Sequence, residues 1–153
     1  MECIVLPSGI RAVDNAMMLD ILLETTQATT AVDAAITASL GCTPETIIIH
    51  EDFHLSTHFD MRIPTRVERR FVDGDVTHWI TVYYDETNPP AVQTDITFAQ
   101  ALVQRLDARA YAEPETAHFP DDFVRVLASG ELQPVEIDQS DDGLRFTMRP
   151  REG

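Results

Sequence analysis

Between positions 53 and 63 the chain reads Phe53-His54-Leu55-Ser56-Thr57-His58-Phe59-Asp60-Met61-Arg62-Ile63, with apolar and polar residues in alternation and Thr57 the one soft position on the apolar side. Successive side chains leave a strand on opposite faces, so a period of two predicts a strand buried on one side. Phe53, Leu55, Phe59, Met61 and Ile63 would meet a core. His54, Ser56, His58, Asp60 and Arg62 would form an outward face, able to present rigid side chains to a partner. Its two histidines would make that face sensitive to pH below neutrality.

Other periods appear on either side. Residues 2–6 read as a short buried strand stopped by Pro7-Ser8-Gly9. From Ile10 or Val13 to Thr26 the apolar residues Met17, Met18, Leu19, Ile21, Leu22 and Leu23 leave only a polar stripe of Asp20, Glu24 and Gln27, which predicts a well-buried helix. A second helix follows, capped by Thr30 with Asp33 in its first turn, carrying Val32, Ala35, Ile36 and Leu40 on one face and stopping at Gly41. The two would form an antiparallel helix pair over about 10–40. Thr43-Pro44-Glu45 has the form of a helix start, but the β-branched run Thr46 to Ile49 favours a strand ending near His50.

Strands are expected at 67–72 and 76–84, joined by the hairpin signal Asp73-Gly74-Asp75. Asn88-Pro89-Pro90 breaks the chain. A third helix begins near Thr97, where Thr97 and Gln100 fit a capping box, and Phe98, Leu102 and Leu106 supply its core stripe. A weak strand follows at 108–112. Residues 123–128 suit either a short helix or a hairpin with 133–138 across Ser129-Gly130-Glu131; the alternation of Val135 and Ile137 favours the hairpin. A last strand spans 143–148, and 150–153 is a frayed tail. No repeat or linker divides the chain, so 1–149 is expected to be a single α+β domain: a mostly antiparallel sheet with the N-terminal helix pair and the later helix packed on it.

Charge changes the picture most. There are 26 acidic residues against 11 basic ones, a formal charge of −15, and every basic residue is arginine. Such a field repels nucleic-acid phosphates and anionic membranes, and speeds encounter with a positively charged protein. No apolar run spans a bilayer and the first residues lack a signal-peptide pattern, so a cytoplasmic protein is expected. Cys3 and Cys42 have no metal-like spacing and read as small buried or half-buried residues.

One short motif carries possible chemistry. His50-Glu51-Asp52-Phe53-His54 matches H-E-x-x-H and resembles the zinc site of zincin metalloproteases. The resemblance implies His50 and His54 as zinc ligands, with His58 a possible third, and Glu51 as general base on zinc-bound water. The geometry needs a helix, in which residues i and i+4 lie ~6 Å apart. In a strand the same residues are about 13 Å apart and cannot share an ion. Asp138 to Gly143 faintly resembles a calcium loop, but Arg149 stands where a bidentate glutamate is needed. No phosphate-binding glycine loop or nucleophile elbow occurs.

The reading that results is a small acidic binding protein without catalysis or cofactor, of the immunity-type or antitoxin-like inhibitor or adaptor kind, for a partner with a basic surface. A zinc-dependent hydrolase is the alternative. A small-molecule pocket between helices and sheet, lined by Trp79 and Tyr83, is the third.

Overall fold

In the computed structural model the described residues are 10–12, 16–51, 58–60, 64–114 and 122–150. They form eleven strands and two helices. The strands are β1 (Ile10–Ala12), β2 (Ala16–Thr25), β3 (Ile47–His50), β4 (His58–Asp60), β5 (Thr65–Phe71), β6 (Asp73–Gly74), β7 (His78–Asp85), β8 (Ala108–Ala112), β9 (Asp122–Val126), β10 (Leu132–Gln139) and β11 (Arg145–Pro150). The helices are α1 (Thr29–Leu40) and α2 (Asp95–Arg105). Nine strands join in the order β3-β5-β7-β2-β8-β9-β10-β11-β6, while β1 and β4 pair separately. The large sheet is mixed: β3 runs parallel to β5 and β6 parallel to β11, and the other pairings are antiparallel.

The expected fold is therefore corrected at its N-terminal half. The N-terminal helix pair does not form, because the stretch read as its first helix is β2, the strand between β7 and β8. Leu19, Ile21 and Leu23 enter one core and Leu22 enters another, so this strand is apolar on both faces. A strand buried on both sides loses its alternation and looks like a helix that is apolar all round. The sheet is also not purely antiparallel, since the chain returns through α1 to lay β3 parallel to β5.

Both helices pack against one face. Val32, Ile36 and Leu40 of α1 and Phe98, Ala99 and Leu102 of α2 share a core with Leu19, Ile21, Leu23, Ile80 and Val82. α1 ends at Gly41 in the left-handed conformation, φ 68°, and Gly41 N–H returns to the Ala38 carbonyl. Ala28, rather than Thr30, stands at its N-cap. The capping box of α2 is set by Thr94 and Thr97, one turn before the expected start.

The opposite face is curled. β6 lies in the β5–β7 connection and pairs with the start of β11, so the far end of the sheet is tied back to that hairpin tip. Leu22, Val76, Tyr111, Ile137 and Phe146 fill the concavity, with Trp79 set edge-on to Phe146 at 5.7 Å.

Candidate functional site

His50 closes strand β3 and Glu51 follows it at the surface. The chain thus reaches the H-E-x-x-H stretch extended, the opposite of the helical turn that would bring His50 towards the next ligand. Burial and the neighbouring Arg66 hold the His50 imidazole below its usual pKa. His54, Ser56 and Arg62 lie outside the described residues. His58 and Asp60 belong to β4, opposite Ala12 and Ile10 of β1. Among the described residues no group of three or more His, Cys, Asp and Glu side chains could hold a metal ion. The Asp138–Gly143 stretch is the β10–β11 turn. There Asp142 accepts from the Ser140 hydroxyl and the Leu144 N–H, and Arg149 pairs with Asp138 at 3.0 Å. Cys42 is a half-buried free thiol 3.7 Å from Thr65 Oγ1; Cys3 lies outside the described residues.

The concave face carries two polar regions. In the first, Asp20 Oδ1 accepts from Trp79 Nε1 at 2.5 Å and from Thr81 Oγ1 at 2.9 Å. Burial raises the pKa of Asp20, opposed by these two hydrogen bonds and by Arg70. Arg70 pairs with the buried Glu68 and lies over the Trp79 ring, 5.3 Å from its centroid. Trp79 is thus committed to the core and to this network. Neither it nor Tyr83 lines the cavity described next.

The second region is a cavity of about 750 Å³ at the end of the curl, walled by β2, β8, β9, β10, β11 and the loop around Gly74. A space of that size suits a small ligand. Pairing places Tyr111 opposite Arg125, Arg125 opposite Gln133, and Glu24 opposite Arg109, all on the concave side. Val135, Met148 and Pro134 supply an apolar wall. Burial pushes the Tyr111 phenol up, with Arg125 and Arg109 pulling it down and Glu24 and Asp75 reinforcing the rise. Arg109 reaches Glu24 only at 3.8 Å, both side chains being substantially exposed. Arg149 contributes to the rim, but its guanidinium pairs with Glu136 and Asp138 on the other side of the hairpin.

Sequence reasoning missed this cavity. Its residues come from short strands far apart in the chain, and the only local signal was the alternation of Arg109 with Tyr111. Fold and site together define a curled mixed sheet with two helices on one face and a charged cavity on the other. No family model, curated protein or solved structure gives a significant match to this chain.

Proposed function

We propose that this chain is a binding protein without catalysis of its own, whose partner is a protein with a basic surface, in the manner of an immunity-type or antitoxin-like inhibitor or an adaptor. The carrying observation is the acidic end of the curled sheet. Asp73 and Asp75 flank Gly74, and Asp138, Asp141 and Asp142 lie on the adjoining β10–β11 hairpin. Two of these carboxylates are fixed in place: Asp75 accepts the Met148 N–H at 2.8 Å, and Asp142 holds its own turn closed. At those two positions a partner meets ordered charges rather than mobile ones, which lowers the entropic cost of docking. The formal charge of −15 would steer a cationic partner towards that edge. No helix among the described residues is long and apolar enough to cross a membrane, and a cytoplasmic setting is part of this proposal.

The test is affinity capture from the cells that make the protein, using the whole chain and a triple variant, Asp73→Asn with Asp141→Asn and Asp142→Asn. A basic protein should co-purify in fixed ratio and be shed as salt rises past about 0.3 M, where the screening length falls well below 10 Å. It should be retained poorly by the triple variant. Capture insensitive to both salt and the triple variant, or no capture, would sink the reading. A variant at His58 and Asp60 tests whether the outward face expected for 53–63 is used instead.

A further inference from the structure

The cavity at the end of the curl has a property that protein docking at the acidic edge does not require. Arg125 Nε is buried and has no hydrogen-bond partner among the described residues, and the residue itself lines the cavity. A buried N–H without an acceptor leaves this guanidinium under-satisfied. Although Nε itself is closed to solvent, the group's other N–H donors can give charge-assisted hydrogen bonds to a carboxylate in the cavity. Tyr111, directly across the β8–β9 pair from Arg125, brings a phenol to the same wall, and Arg109 lies one step further along β8. In a chain with a formal charge of −15, two arginines facing one cavity set it apart from the surface around it.

The rest of the lining narrows the ligand. Glu24 and Asp75 stand at the same cavity and oppose a second negative charge, so a phosphate dianion or a dicarboxylate is disfavoured. Val135, Met148 and Pro134 offer an apolar wall, and the third arginine of the lining, Arg149, is already paired with Glu136 and Asp138. We propose that this cavity is a binding site for a small monocarboxylate with an apolar tail. Arg125 holds the carboxylate, Arg109 and Tyr111 flank it, and the tail lies against Val135 and Met148.

The experiment is a titration of the whole chain with phenylacetate, inorganic phosphate and phenylethylamine, followed by calorimetry and by the amide resonances of Tyr111, Arg125 and Met148. Phenylacetate should bind saturably and shift those three resonances, whereas phosphate and the amine should not. Arg125→Gln should weaken phenylacetate binding about tenfold or more, the loss expected for one charge-assisted hydrogen-bonded contact. The near-ultraviolet circular dichroism of Trp79 would show whether that variant keeps its core; if it does not, Tyr111→Phe and Arg109→Gln serve, each expected to weaken binding severalfold. Absence of saturable binding, equal binding of phosphate, preference for the amine, or affinity unchanged in folded Arg125→Gln would each overturn the assignment.

Discussion

Asp33 on α1 and Arg69 on β5 form a forked ion pair across the helix–sheet interface, Nε to Oδ1 at 2.6 Å and Nη2 to Oδ2 at 3.3 Å. The arginine side chain is 7% exposed and the aspartate 32%. Removing the aspartate strands a guanidinium that already has one nitrogen, Nη1, without a hydrogen-bond partner. Asp33→Ala is expected to cost about 2–4 kcal/mol, because an uncompensated charge stays buried. Adding Arg69→Met should recover most of that loss, since the unpaired charge is then gone. Urea denaturation of the two single variants and the double variant measures both effects; additive losses would contradict the argument.

Asp20 makes the opposite case. Its folded pKa is raised, mainly by burial, so the ionised form opposes folding above that pKa and the penalty disappears as the group protonates. Asp20→Asn keeps an acceptor oxygen for Trp79 and Thr81 while removing the charge. At neutral pH the variant should be more stable by on the order of 1 kcal/mol, about 2–4 °C in Tm for a domain of this size. The advantage should shrink as pH falls through the folded pKa and be gone below the ordinary carboxylate value of 3.8. A variant less stable than the parent at pH 7 would show that the hydrogen bonds need the full carboxylate.

The sequence was readable where structure is local. The β5–β7 hairpin, α1, the body of α2 and the β9–β10 pairing each rest on a turn, a cap or a stripe contained within about twenty residues. β2 carries a helical pattern because Asp20 and Glu24, four apart, share a face in a helix and in a strand alike. Only the position of β2 between β7 and β8, supplied by residues about 60 and 90 further on, decides between the two. The same ambiguity underlies His50 and His54, where spacing alone suggested an ion site. The cavity was invisible for a related reason: Glu24, Tyr111, Arg125 and Met148 meet only after the sheet has curled.

His78 gives a pH dependence of known sign. The imidazole is 3% exposed, its Nδ1 lies 2.7 Å from Thr77 Oγ1, and its Nε2 is buried without a hydrogen-bond partner among the described residues. Thr77 Oγ1 also accepts from Thr25 N–H and lies within donating distance of the Leu23 carbonyl. The arrangement satisfying most groups makes Nδ1 the donor to Thr77 and leaves Nε2 a bare lone pair. Protonation would bury an unpaired N–H, and burial together with Arg69 lowers the pKa, against the opposite pull of Asp33. The unfolded chain therefore binds this proton more tightly, and stability falls as pH drops below about 6.5 towards the folded value. His78→Asn keeps a donor for Thr77 without titrating. The stability difference between parent and variant should narrow from pH 7 to pH 5; a constant gap would remove His78 from the account.

Gly74 joins the two ends of the sheet and tests whether the β6–β11 tie holds the curl closed. Its φ is +95°, and a Cβ placed there would come within 2.0 Å of the Phe146 carbonyl oxygen. That oxygen accepts the Asp75 N–H at 2.8 Å, and Asp73 N–H reaches the Leu144 carbonyl at the same distance. These bonds fasten β6 to β11, so no flexible side chain can yield and the backbone itself must move. Gly74→Ala combines a positive φ with a backbone clash, and is expected to cost about 3 kcal/mol or more. Because Phe146 lies in β11 and packs edge-on against Trp79, the strain should reach the concave core first. Near-ultraviolet dichroism of Trp79 should weaken before far-ultraviolet signal from α1 and α2 is lost, and protection of the Asp75 amide from hydrogen exchange should collapse. Retention of both signals at parental stability would mean that the β6–β11 tie does not hold the curl closed.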